Sequence, residues 1–253
     1  MLGDRQQATG SSYRPLTDYQ KTRYADKNGR VGWLNDFSFA LDNYKGKSDI
    51  NILDVGGGTG LFANNVWNYF DKSANVYCLE ITEYDTWKNT EGVNFIKGSA
   101  ENLETIFGDI KFDVIFMNNV VHHFVKDTYS DTVKCQRNIL ESANHLLTEN
   151  GILCINDEPV DSYLCVFSNW LIYQLTTISN SHISTLIRKL GAKAAGVGVH
   201  FLSLSEWVVT LCELNFTPMI LNPGKGKRKW YMHLFLLLKE DRFGFQVVCK
   251  KKV

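Results

Sequence analysis

Residues 52–61, Ile52-Leu53-Asp54-Val55-Gly56-Gly57-Gly58-Thr59-Gly60-Leu61, constrain the fold of this chain more than any other stretch. Ile52, Leu53 and Val55 make an apolar, partly β-branched run of the kind that fills a buried strand. Gly56, Gly58 and Gly60 then alternate, which lets the backbone turn sharply and lets a ligand approach the main chain closely. A helix is expected to open at about Thr59 to Ala63, and its first amides have no partner within the helix, so they face whatever sits at the turn. Strand, glycine turn and helix in that order predict a parallel α/β sheet with a small polar ligand at the strand's carboxyl edge.

The identity of the ligand is not fixed by the glycines alone. Gly58-Thr59-Gly60-Leu61-Phe62-Ala63 satisfies the dinucleotide fingerprint G-x-G-x-x-G/A, and Glu80 lies at the distance expected of a ribose contact. A nicotinamide oxidoreductase therefore enters as one reading. The acid before the glycines favours another. Asp54-x-Gly56-x-Gly58-x-Gly60 resembles the first motif of class I methyltransferases, which bind S-adenosylmethionine (SAM). In that family the acid orders the loop and helps to hold the amino-acid end of the cofactor.

Further matches follow in order. Residues 75–81 read as a second strand ending at Glu80, an accept-only group suited to both ribose hydroxyls, with Ile81 next along to pack on the adenine. Residues 93–96 form a third strand, leading to Lys97-Gly98-Ser99-Ala100-Glu101-Asn102-Leu103. This resembles the family's Gly-Asp-Ala-Glu-Asn-Leu segment, with Ser99 where the adenine-binding acid usually stands. Residues 112–117 are a buried strand that delivers Asn118, Asn119 and then His122-His123-Phe124 to its carboxyl edge, where ligands lie in open α/β sheets. The family carries a similar segment, and Asn118 would lie beside the methionine part of the cofactor. The resemblance thus implies cofactor contacts from Asp54, Gly56, Gly57, Gly58, Gly60, Glu80, Ile81, Ser99, Ala100, Glu101, Asn118 and Asn119.

Candidate catalytic residues are His122, His123 and His200, since an imidazole near neutral pKa can take a proton from an acceptor hydroxyl. Adjacent side chains on one turn point differently, so at most one of His122 and His123 is expected to face the cofactor. A His-His pair with no third ligand at metal-binding spacing is poor evidence for a metal, and none is expected.

Outside this core the sequence speaks through pattern. Residues 1–48 mix tyrosines with charge (Tyr13, Tyr19, Tyr24) and then place Leu34, Phe37, Ala40 and Leu41 on one helical face, as a leading helix or lid would. Helical spacing at Ile139 to Leu147 leads to a C-cap at Glu149-Asn150-Gly151 and a fifth strand from Gly151 to Pro159. Residues 160–200 carry Leu164, Phe167, Leu171, Leu175 and Ile178 on one face of a helix, and Tyr163, Val166, Trp170 and Tyr173 on another. A helix apolar on two faces is expected to be buried on both, as a substrate cap or as the interface of a homodimer through residues 160–190. A shorter amphipathic helix follows at Ile183 to Leu190. Ser203 with Glu206 forms a capping box. Residues 216–221 and 229–239 read as an antiparallel strand pair joined by a basic turn, 222–228.

Composition sets the remaining bounds. At 253 residues the chain buries roughly 70–75% of its unfolded surface. Its net charge of zero gives no general grip on nucleic acid. Six cysteines without a C-x-x-C pair suggest reduced thiols, and no charge-free run spans a membrane, so a cytoplasmic protein is expected. The whole is read as an α/β fold with a doubly wound, seven-stranded, mostly parallel sheet whose last strand is antiparallel, plus a helical cap and lid. Its parts are a lid (1–48), a Rossmann-like SAM-binding core (49–159), a cap insertion (160–200) and the C-terminal part of the sheet (201–253). The expected activity is SAM-dependent methyl transfer to a small, largely apolar or aromatic molecule at a hydroxyl oxygen. N- or C-methylation and SAM binding without methylation stand as alternatives.

Overall fold

The computed structural model describes residues 31–164, 166–178, 185, 196–223, 233, 236–239 and 244–252. The expected lid residues 1–30, most of the 183–190 helix and the basic turn at 224–228 lie outside the described residues.

Seven strands form one sheet in the order β3-β2-β1-β4-β5-β7-β6. Here β1 is Asn51–Val55, β2 Asn75–Glu80, β3 Val93–Lys97, β4 Phe112–Asn118, β5 Leu147–Asp157, β6 Phe216–Asn222 and β7 Phe245–Lys251. The first five pair in parallel, and β7 runs antiparallel between β5 and β6. Strands buried on both faces need no polar alternation, which is why Leu53 and Ile52 are both fully buried on neighbouring positions of β1. Period two then sorts side chains to two cores. Ile52, Val114, Phe116, Cys154 and Val248 meet α1 (Val31–Leu41) and α2 (Leu61–Tyr69) on one face. Leu53, Ile115, Leu153, Val247 and Cys249 meet α3 (Leu103–Phe107), α4 (Tyr129–Leu146) and α6 (Leu204–Glu213) on the other.

Three local expectations are corrected. The strand beside β6 is Phe245–Lys251; of the 229–239 stretch, His233 and Leu236 are helical and Leu238 makes a single bridge to Ser162. Leucines, which are not β-branched, suit helix and turn at 236–238, whereas the β-branched Val247-Val248 pair suits a central strand. The fourth helix ends at Leu146 and passes directly into β5, so Gly151 is a strand residue: a Cβ there would lie 2.9 Å from the Phe112 carbonyl oxygen. The third concerns α5 (Val166–Thr177), whose two apolar faces are buried only in part: Tyr173 is buried and Leu171 packs on the Val160–Leu236–Leu238 cluster, as expected. Ser168, Asn169, Tyr173 and Thr176 point inward, while Phe167, Trp170 and Leu175 are exposed. The inward polar groups are held by partners distant in sequence: Ser168 Oγ donates to Leu236 O, Asn169 Nδ2 to Glu206 Oε2 and Tyr173 OH to Lys126 O. Hydrogen bonds of this kind offset the cost of burial, although Asn169 Oδ1 is left without a partner among the described residues.

The capping box at Ser203 and Glu206 forms as expected. Cys78, Cys135, Cys154 and Cys249 are buried thiols and Cys212 is exposed; Cys165 lies outside the described residues. Burial pushes the Cys154 thiol well up. No helix among the described residues is long and apolar enough to cross a membrane.

Candidate active site

The candidate residues lie at the carboxyl edge of β1, β2, β3 and β4, with His200 packed behind the turn that follows β4. Gly56, Gly58 and Gly60 all take positive φ (70°, 57° and 79°), and Gly60 caps α2, so the alternation read from sequence corresponds to three left-handed turns of the main chain. Gly57 is constrained differently. A Cβ there would lie 2.4 Å from Asp54 Oδ2 and 2.5 Å from Cys78 Sγ. The glycine loop therefore closes over the buried Asp54 carboxylate, which is 2% exposed.

Three further side chains hold the loop. Glu80 Oε2 accepts from the Gly58 amide at 3.1 Å, and its Oε1 accepts from Ile81 N at 2.8 Å and Thr82 N at 3.2 Å. A ribose reaching this carboxylate shares it with three backbone amides, and the acid thereby ties the end of β2 to the loop. From the far side the Trp87 indole donates to Gly58 O at 2.9 Å and stacks on Phe95, with ring centroids 4.8 Å apart. Thr86 Oγ1 donates to Thr59 O. Sequence reasoning passed over Trp87, which sits in an irregular 3-10 turn with no periodic signal.

The loop after β3 is more modest. Ser99 caps the short turn at 100–102, its Oγ accepting from Glu101 N at 3.3 Å, and Ala100 is buried beside it. Glu101 turns to Lys126 at 2.5 Å. Ile81 is 37% exposed at the rim.

At the end of β4, both polar atoms of the Asn118 side chain are buried without a hydrogen-bond partner among the described residues. Buried amides are rarely left so. An orphaned carboxamide beside a glycine cradle fits a ligand with polar groups, and the amino-acid end of SAM is such a ligand. Asn119 follows with φ 50°, and its amide donates to Asn156 O at 2.6 Å.

The three histidines have different surroundings. His122 Nδ1 lies 2.5 Å from Asp157 Oδ1, and Asp157, at the end of β5, also accepts from the His122 amide through Oδ2. Burial works against the charged imidazole, but the carboxylates of Asp157 and Glu158 outweigh it and raise the His122 pKa above 6.5. Its ring stacks on Phe201 at 4.9 Å. With Nδ1–H donated to Asp157, Nε2 carries the lone pair, the arrangement a general base needs. His123 is driven the other way: burial, and then the neighbouring His122, hold its pKa well below the usual value. His200 lies inside a buried network. Its Nδ1 meets Gln136 Oε1 at 2.7 Å, its Nε2 meets Tyr129 OH at 3.2 Å, and burial lowers its pKa to about 4. Gln136 Nε2 donates to Val121 O and His200 O, and the His200 amide donates to His122 O. This network braces the turn that carries His122. Gln136 gave no sequence signal, being one polar residue on a helix of mixed character.

A doubly wound sheet of this order, with a glycine cradle, a strand-end acid and an orphaned amide at one edge, is the arrangement that the resemblance to class I SAM-dependent methyltransferases implies. Residues 53–155 match the family model of the methyltransferase domain, so that segment of the chain is such a domain. No curated protein matches the chain by sequence. Among solved structures it is similar to the YcgJ protein of Bacillus subtilis (15% identity, TM-score 0.53, covering 87% of this chain and 99% of that one). It is also similar to the plantazolicin methyltransferase BpumL, solved with a monoazolic desmethyl analogue and S-adenosylhomocysteine (16%, TM-score 0.57, 92% and 88%). A third is the CurJ carbon methyltransferase (15%, TM-score 0.58), of which this chain spans 57% while 92% of its own length is covered. At these identities the likeness is one of fold.

Proposed function

We propose that this protein methylates a small, largely apolar or aromatic acceptor at a hydroxyl oxygen, with His122 as general base. The observation that carries this reading is the His122–Asp157 contact at the edge shared by β4 and β5, next to Asn118. SAM, when bound, supplies an electrophilic methyl group. The protein's part is then to align the acceptor, exclude water and take up one proton. His122 Nε2 receives the hydroxyl proton, and Asp157 holds the ring and stabilises the imidazolium that results. His200, low in pKa and enclosed by Gln136 and Tyr129, serves this turn as a brace. Asp54, the loop glycines, Glu80 and Asn118 hold the cofactor, while Ser99 and Ala100 line the adenine end.

The cytosol suits four buried free thiols. The outward aromatic face of α5 suits a second copy of this chain, and light scattering that returns a monomer mass at micromolar concentration overturns that assembly.

The test of function has two stages. Calorimetric titration with S-adenosylhomocysteine, and with NAD for comparison, establishes the cofactor; binding of NAD alone refutes the reading. Incubation with SAM and a panel of phenols, aliphatic alcohols, amines and stabilised carbanion donors follows, with product mass and position of the methyl group as readout. Methylation of amines or carbon in preference to hydroxyls refutes the oxygen assignment, and SAM binding with no methylated product favours a protein that uses SAM without transferring its methyl.

A further inference from the structure

We infer that Asn156 is an acceptor-positioning residue, and that the group it holds is an uncharged hydroxyl or carbonyl near the methylated atom. The inference rests on the methyltransferase reading above. In register, Asn118 of β4 stands beside Asn156 of β5, and Asn156 beside Gln246 of β7. Each stands two residues from Phe116, Cys154 or Val248 and so shares its face, which makes the three a polar row on the α1 side of the sheet. The row ends satisfied at Gln246, whose Nε2 donates to Asp36 Oδ2 of α1 at 2.5 Å. It does not end satisfied at the other two residues. Asn156 is 2% exposed, yet its Oδ1 has no hydrogen-bond partner among the described residues, and neither does the Asn118 amide.

An unpartnered buried carboxamide in a central strand costs stability that a leucine of similar volume would restore. A polar group of a ligand at this edge of the sheet would supply the missing bond. Asn118 is within the cofactor's reach and Asn156 is beyond it. Glu80, on β2, is the expected ribose partner, and strands repeat every 4.7–4.9 Å, so β4 stands about 10 Å from β2 and β5 about 14 Å. From a ribose hydroxyl to the amino-acid end SAM runs about nine bonds, each advancing about 1.2 Å, or about 11 Å in all. The cofactor spans to Asn118 and stops one strand short of Asn156. What lies over the end of β5 is acceptor, with the Asp157 that holds His122 next along the strand. A neutral amide both donates and accepts, and it offers no charge to balance a carboxylate or ammonium, so the matching group is uncharged and polar.

The experiment compares Asn156→Leu and Asn118→Leu with wild type by thermal unfolding, by calorimetry with S-adenosylhomocysteine, and by kinetics on whichever panel acceptor the wild type methylates. The expected result for Asn156→Leu is a Tm higher by about 2–6 °C, a Kd for S-adenosylhomocysteine within about twofold of wild type, and a KM for the acceptor raised at least about tenfold. The Asn118→Leu variant should lose at least about fivefold in S-adenosylhomocysteine affinity. A lower Tm in Asn156→Leu makes the amide structural and overturns the inference. Loss of S-adenosylhomocysteine affinity equal to that of Asn118→Leu makes it a cofactor residue and overturns it as well. Wild-type protein that binds no S-adenosylhomocysteine removes the methyltransferase reading first, and this inference with it.

Discussion

Acid should unfold this protein through a residue that sits one hydrogen bond behind the candidate base. His200 is buried against Gln136 and Tyr129, and its pKa is lowered to about 4 by burial. An imidazole whose folded-state pKa lies below its unfolded value of 6.5 contributes stability that is present above pH 6.5 and is lost as pH falls toward 4, because only the unfolded chain takes up the proton. Between pH 7.5 and 5.0 the loss integrates to about 2 kcal/mol for this one group. Replacing His200 by Gln keeps an amide that can bond Gln136 and Tyr129 and removes the titration. The assay is urea unfolding of both proteins at the two pH values. With m near 2–3 kcal/mol/M for a chain of this size, the wild-type midpoint should fall about 0.7–1 M further than that of the variant. Carboxylates, His122 and His123 also titrate, but they do so in both proteins and cancel in the difference. Parallel pH dependence in the two proteins would refute the reasoning. So would a variant that loses more than wild type on acidification.

Two other outcomes follow from the site. Asp157→Asn should lower kcat at least about a hundredfold. It should also move the acid limb of the pH–rate profile to lower pH, since the carboxylate that raises the His122 pKa is gone; a limb that stays in place assigns the proton transfer elsewhere. Gly57→Ala drives a methyl group into Asp54 and Cys78, so S-adenosylhomocysteine affinity should fall at least about tenfold and stability by about 1–3 kcal/mol, while an unchanged Kd would mean the loop does not cradle the cofactor.

The parallel half of the sheet was legible because its signals are local. Ile52 to Leu61 contains a strand, its turn and the start of its helix within ten residues; Glu80 and Asn118 each end a strand that the sequence marks by apolar run and polar stop, and Ser99 follows the end of a third by two residues. What resisted reading depends on pairing across long separations. The His122–Asp157 contact joins residues 35 apart, and the Gln136–His200 contact joins residues 64 apart. Neither spacing carries a period. The inward face of α5 misled in part for the same reason: apolar periodicity assigns Phe167, Trp170 and Tyr173 to the interior, but only Tyr173 is buried, while Ser168 and Asn169 have found partners on other elements and Phe167 and Trp170 face outward. At the last strand, the four leucines at 234 and 236–238 outnumber the Val247-Val248 pair in the sequence, while sheet geometry rewards the branched pair.

The position of β7 has a consequence for how the molecule is made. Once a ribosome has released residues up to Asn222, β5 and β6 both exist, and each presents a row of unsatisfied amides and carbonyls to a gap of one strand's width. The strand that fills the gap is Phe245–Lys251. At about 5–20 residues per second the nascent chain spends seconds with two open edges that invite pairing with other chains. Completion of the sheet is thus a late, non-local event, and substitutions within residues 245–249 should lower the yield of soluble protein in the cell more than they lower the equilibrium stability of the molecules that do fold.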